Sequence, residues 1–145
     1  MKVDVLSFYK RILITQSLSI LFAVISNFHT RILINSSWIF DNPIIFLLIM
    51  FLPIIIFVII SSIIVIRYLD GRWINVLLIS IPYIVYWFIV LVIISTIFPI
   101  HGDSEDYGLG LIILFLSACQ WISVVIGSIV GTAIKNEHLA SINKG

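Results

Sequence analysis

Four long apolar segments constrain the fold of this chain more than any other feature of its sequence. They cover about 11–33, 43–66, 74–98 and 109–134. At about 1.5 Å per helical residue, each is long enough to cross a hydrocarbon core of about 30 Å. The 145 residues are 61% hydrophobic and only 10% charged, which is far from the balance of soluble globular proteins. We therefore predict an all-α polytopic membrane protein that forms one domain over residues 1–145, a bundle of four transmembrane helices.

The connections between the segments are short. Asp41-Asn42-Pro43 predicts a helix start, because Asp or Asn caps free backbone amides and Pro is tolerated at the first helical position. Arg67–Trp73 predicts a tight turn, with Asp70-Gly71 supplying the turn chemistry. The region around 28–42 leaves two alternatives open: a first helix that continues to about Ile34 with Arg31 reaching outward, or a segment lying in the membrane interface. We favour the long helix.

Lys and Arg residues are distributed unevenly among the polar segments. The N-terminal segment has three of them, the second connection two and the tail two, whereas the first and third connections together have only Arg31. The positive-inside rule therefore predicts that both termini are cytoplasmic. We expect a multi-pass protein of the bacterial inner (plasma) membrane, in contact with membrane lipid, with its acidic loop 99–108 outside.

Small residues recur at every fourth position of the last segment: Cys119, Ser123, Gly127 and Gly131. Residues four apart lie on one face of a helix, and a face of small side chains lets a second helix approach closely. This stripe predicts a helix-packing surface. It fits packing inside the bundle and a homo-oligomer interface equally well.

Polar side chains deep in the segments favour hydrogen bonding between helices over acid–base chemistry, and Gln16 and Gln120 are the strongest candidates. Pro82 stands beside Tyr83, Tyr86 and Trp87, whose polar atoms need acceptors. The carbonyl freed by Pro82 is one candidate acceptor. Structural packing is the default interpretation of this cluster, with an aromatic-lined cavity as the alternative.

Groups that catalysis requires are missing from the segments. All acidic residues fall in loops or tails, and no nucleophile stands with a base in a recognisable motif. His101, Asp103, Glu105 and Asp106 form only a weak pattern for a hard cation. We therefore predict no enzyme activity, no metal site and no cofactor. A net charge of +1 does not predict direct nucleic-acid binding.

In size, span number and lack of catalytic residues, with Gly127 and Gly131 for assembly, the chain resembles small four-span membrane proteins of bacterial defence. Examples are the membrane subunit of the Kiwa anti-phage system and colicin immunity proteins. The first resemblance implies an oligomeric membrane sensor that signals to a cytosolic partner. The second implies interception of a pore-forming toxin.

The leading hypothesis is a non-enzymatic membrane subunit that forms homo-oligomers and couples an envelope event to a cytosolic effector, through a cytosolic or envelope protein partner. The cytoplasmic contact would use Arg67, Asp70, Arg72 and the tail from Lys135. The alternative is a small ion channel or solute carrier, in which Gln16, Gln120 and the aromatic cluster line a path.

The predicted orientation can be tested by cysteine labelling in a Cys119→Ser background. We expect a membrane-impermeant maleimide added to spheroplasts to label Ser104→Cys, because the acidic loop is outside. Ser141→Cys should react only after permeabilisation. The opposite labelling pattern would contradict the orientation.

Overall fold

Four helices make up the bundle in the part of the chain that the structure describes. The computed structural model describes residues 2–35, 41–97 and 107–142, with side chains from residue 7 in the first range and from residue 110 in the third. The helices are α1 (Lys2–Asn35), α2 (Pro43–Tyr68), α3 (Ile74–Ile97) and α4 (Tyr107–Ile142). Each contains a stretch long and apolar enough to cross a membrane. The predicted all-α fold with four transmembrane helices is confirmed.

The second and third helices, α2 and α3, have bounds close to those predicted from the sequence. Asn42 caps α2, since its side-chain oxygen accepts hydrogen bonds from the backbone amides of Ile44 (3.1 Å) and Ile45 (3.4 Å), and Pro43 is the first helical residue. The first and last helices, α1 and α4, are longer than their predicted spans. α1 begins at Lys2 rather than at residue 11, and α4 continues past residue 134 to Ile142. Helical hydrogen bonds continue into polar sequence, so hydrophobicity marks the span and not the helix end.

The end of α1 decides between the two alternatives for residues 28–35. α1 is one continuous helix to Asn35, as favoured above, and residues 36–40 lie outside the described part of the chain. The expectation that Arg31 reaches outward is wrong. Arg31 is only 6% exposed, and its Nη2 donates a hydrogen bond to Ser95 Oγ on α3 at 2.7 Å. α3 runs alongside at this level, so the guanidinium has a hydrogen-bond acceptor inside the bundle.

The bundle consists of two helix pairs. α2 packs most extensively on α4 and α1 on α3, and the contacts between α3 and α4 are the most extensive of those that join the pairs. Between α1 and α2, the Phe22 and Phe57 rings pack at an angle of 41° with their centroids 4.6 Å apart, and both side chains are fully buried. The large apolar side chains that remain exposed are spread over all four helices, as expected of surfaces that face lipid.

The small-residue stripe of α4 packs against α2 of the same chain. A Cβ atom on Gly127 would collide with Ser61, and one on Gly131 would lie 2.8 Å from the backbone carbonyl oxygen of Ser62. Ser62 Oγ also donates a hydrogen bond to the carbonyl oxygen of Gly127 at 2.8 Å. Both glycines are buried by this contact. An oligomer interface at these two positions would therefore require α2 to move away.

The other two stripe residues contribute less to this contact. The hydroxyl of Ser123 is buried and donates to the carbonyl oxygen of Cys119 in its own helix at 2.7 Å. Cys119 itself is half-buried and its thiol is free. The close approach of α2 to α4 thus depends on the two glycines.

The glycines can be tested with a matched pair of substitutions. Gly127→Ala should destabilise the bundle by about 1–3 kcal/mol, because an added methyl overpacks the α2–α4 contact. Gly110→Ala is the control, since a Cβ atom there meets nothing within 4 Å. Unfolding in mixed micelles with increasing denaturing detergent measures both variants. Equal destabilisation by Gly127→Ala and Gly110→Ala would contradict the assigned packing.

Candidate functional site

One side of α1 is polar and faces the bundle interior. We call this set of side chains the polar face of α1: Thr15, Gln16, Ser19, Ser26, Asn27, His29, Thr30 and Arg31. Six of them are buried, and Gln16 and His29 are partly buried. Buried polar groups in lipid need hydrogen-bond partners, because no water can replace them. The partners of this face therefore explain the role of α1.

Ser19 and Asn27 of the polar face bind the backbone of α3. Ser19 Oγ donates to the carbonyl oxygen of Ile79 at 2.8 Å, and Asn27 Nδ2 donates to that of Trp87 at 3.3 Å. Thr15, Ser19, Ala23 and Asn27 recur at every fourth position, so small or polar side chains line the α1–α3 contact.

Pro53 of α2 leaves a carbonyl that α1 satisfies. Proline has no amide hydrogen, so the carbonyl oxygen of Ile49, four residues earlier, loses its helical partner. His29 Nε2 lies 2.9 Å from this oxygen. A carbonyl oxygen only accepts, so Nε2 carries the proton and Nδ1 of the neutral ring is an acceptor.

Pro82 of α3 creates the same situation at Leu78. Gln16 Nε2 lies 3.4 Å from the carbonyl oxygen of Leu78, and the Tyr86 hydroxyl donates to Gln16 Oε1 at 2.8 Å. The carbonyl freed by Pro82 is thus bound by a glutamine of α1 and not by the neighbouring aromatic residues. Both proline-freed carbonyls accept from the polar face of α1.

Gln120 of α4 connects the polar face to the second helix pair. Its Nε2 donates to His29 Nδ1 at 2.8 Å, and its Oε1 accepts from the Ser26 hydroxyl. The side chain is 1% exposed. A chain of hydrogen bonds therefore runs from Ser26 through Gln120 and His29 to Ile49, and it joins α1, α4 and α2.

The aromatic cluster divides between this interior and a surface groove. Tyr83 and Trp87 are buried, and with Trp121 they line a groove of about 190 Å³ between α3 and α4. Trp121 Nε1 donates to the carbonyl oxygen of Ser80 at 3.0 Å. Trp87 also lines a small cavity of about 10 Å³, which is at the lower limit of the volume that one water molecule needs. The cluster mainly fills space between helices.

Charged side chains gather at one end of the bundle, around the α2–α3 connection. Arg11 Nη1 and Arg72 Nε each lie 3.1 Å from Asp70 Oδ2. Asn75 Nδ2 donates to the carbonyl oxygen and to Oδ1 of Asp70, both at 2.7 Å. Asp70 thus holds α1 and the first turn of α3 together.

The tail of α4 binds the same end. Lys135 Nζ donates to the carbonyl oxygen of Ile66 at 2.8 Å, in the last turn of α2. Asn136 lies where a Cβ atom on Gly71 would be, and Gly71 has no positive φ. Gly71 therefore leaves room for the Asn136 side chain of α4, and the connection does not use the left-handed conformation that glycine allows.

These contacts change the interpretation of the predicted cytoplasmic surface. Asp70 and Lys135 are engaged within the chain, whereas Arg67 is exposed and Arg72 keeps 70% of its side chain exposed beside Asp70. Within residues 2–35, 41–97 and 107–142, no three His, Cys, Asp or Glu side chains lie close enough together to hold a metal ion. His101, Asp103, Glu105 and Asp106 lie outside those ranges.

Sequence reasoning singled out Gln16 and Gln120 but missed Ser26, Asn27 and His29. Two signals could have found them. The four-residue recurrence from Thr15 to Asn27 marks a helix contact, and each proline implies a free carbonyl four residues earlier that a donor must reach.

No protein-family model, no curated protein and no solved structure matches this chain.

The role of His29 can be tested in a double-mutant cycle with Pro53. Pro53→Ala restores an amide donor to the carbonyl of Ile49, so His29→Ala should cost about 1 kcal/mol less in that background than beside Pro53. Unfolding in mixed micelles measures all four proteins. Gln16→Ala serves as the control, because it acts at Leu78 and its effect should be additive with Pro53→Ala. Additivity of His29→Ala and Pro53→Ala would contradict the assignment.

Proposed function

We propose that this protein is a non-enzymatic membrane subunit that binds another protein and couples an envelope event to a cytosolic effector. The supporting observation is that α1 and α4 both extend beyond the bundle at the end that carries Asp70. In the part of the chain whose side chains are described, all of 7–10 and 137–142 are exposed. Two helix ends that leave the bundle at the same end offer a surface for a partner.

The lengths of these extensions follow from two contacts. Arg11 is level with Asp70, and Asn136 with Gly71. At about 1.5 Å per residue, residues 2–10 extend about 13 Å and residues 137–142 about 9 Å beyond that level. Tyr9, Leu139 and Ile142 are exposed there, so the extensions offer apolar side chains as well as charges.

The orientation predicted by the positive-inside rule favours a cytosolic partner. Lys10, Arg11, Arg67, Arg72 and Lys135 all belong to this end, and the positive-inside rule favours such an end in the cytoplasm of a bacterial inner membrane. Arg67 and Arg72 remain exposed beside the two extensions. We propose these two residues, with the extensions, as the partner contact.

The biological setting proposed is phage defence or toxin immunity, which the resemblance implies. The spans contain no recognisable nucleophile–base motif, which favours a binding role over catalysis. Gly127 and Gly131 are covered by α2, so a homo-oligomer would use another face of the bundle.

A photo-crosslinking amino acid at Tyr9, and separately at Leu139, tests the partner contact in membranes of cells that make the protein. We expect both positions to crosslink to the same cytosolic protein, because the two extensions leave the same end of the bundle. Phe115, which is 59% exposed on the apolar part of α4, is the matched control and should give no such product. Products that are the same at Phe115, or different partners at the two ends, would contradict the proposal.

A further inference from the structure

Two apolar grooves run side by side along the first half of α1. The first has a volume of about 720 Å³ and is an open groove lined by residues of α1, among them Tyr9, Leu13 and Ile20. The second has a volume of about 300 Å³ and lies between α1 and α2, where Leu21 and Ile64 contribute to its walls. Ser17 lines both grooves, so it forms part of the ridge that separates them.

Lys10 stands on the same ridge. Lys10 and Ser17 are seven residues apart, which is nearly two helical turns, so they lie on one side of α1. Lys10 is exposed and also lines the first groove. The Lys10 ammonium group therefore lies on the side of α1 that separates the two grooves, at the end nearer the α2–α3 connection.

The positive charge of Lys10 is not neutralised within the described part of the chain. The neighbouring Arg11 is paired with Asp70, whereas Lys10 has no hydrogen bond or ion pair there. An unpaired cation beside apolar surface attracts an anionic group that carries apolar chains.

The depth of the grooves matches one leaflet of a bilayer. Lys10 is next to Arg11, which is level with the α2–α3 connection and therefore with the membrane boundary. Ile20, at the far end of the first groove, is ten residues deeper, or about 15 Å. Half of a hydrocarbon core of about 30 Å is the same length.

We propose that this surface is a binding site for an anionic phospholipid with two acyl chains. One chain lies in each groove, on either side of Ser17, and the phosphate binds Lys10. Tyr9 and Tyr68 line the two grooves near the headgroup level, where their exposed rings suit the interface. Tyr9 and Lys10 also belong to the α1 extension proposed above for the protein partner, but lipid binding to the isolated protein does not require that partner.

Native mass spectrometry of the full-length protein tests this site. Phosphatidylglycerol should be retained better than phosphatidylcholine, and Lys10→Gln should lower its affinity about fivefold, the effect of one cation near an anionic headgroup. Arg72→Gln is the matched control, because it removes the same charge at the same end, away from both grooves. Circular dichroism establishes that both variants are folded.

A second comparison tests the two grooves. Lysophosphatidylglycerol carries the same headgroup on one chain, so it should bind more weakly than the two-chain lipid, and inorganic phosphate should not compete. Equal retention of the anionic and zwitterionic lipids, equal losses in Lys10→Gln and Arg72→Gln, or equal binding of the one-chain lipid would overturn the proposal.

Discussion

The bundle depends on how backbone carbonyls are satisfied where no water can reach them. Pro53 and Pro82 each free one carbonyl inside an apolar helix, and α1 supplies the donor in both cases, from His29 to Ile49 and from Gln16 to Leu78. This requirement explains why the first helix is so much more polar than the second and third. It also fixes the depth of α1 against both of them.

The two helix pairs are held by different means. α2 and α4 approach closely because Gly127 and Gly131 have no side chains, so their contact relies mainly on dispersion between tightly packed atoms. α1 and α3 are joined by hydrogen bonds to the backbone, such as that from Ser19 to Ile79. Gln120 links the pairs through His29. Directional bonds therefore set the register of α1, and small residues set the distance between α2 and α4.

Because the polar side chains of α1 face the interior, the described part of the bundle surface has two chemically distinct regions. The flanks are apolar and suit lipid, and the Asp70 end is charged and carries the two helix extensions. Interactions with other molecules are thus expected at the flanks or at that end. The proposed protein contact uses the end, and the proposed phospholipid site uses the boundary between the two regions.

The sequence alone determined the number of helices and the bounds of α2 and α3, because span length, the Asn42 cap and the Asp70 turn are local properties. It also identified Gln16 and Gln120 as polar groups that need partners. Only the tertiary structure decided what they bind, since each freed carbonyl can accept from any helix that reaches it. Tertiary structure likewise buried Arg31 against Ser95 and covered Gly127 with α2. A stripe of small residues has the same sequence pattern whether the helix that packs on it belongs to the same chain or to another, so the pattern alone cannot distinguish the two.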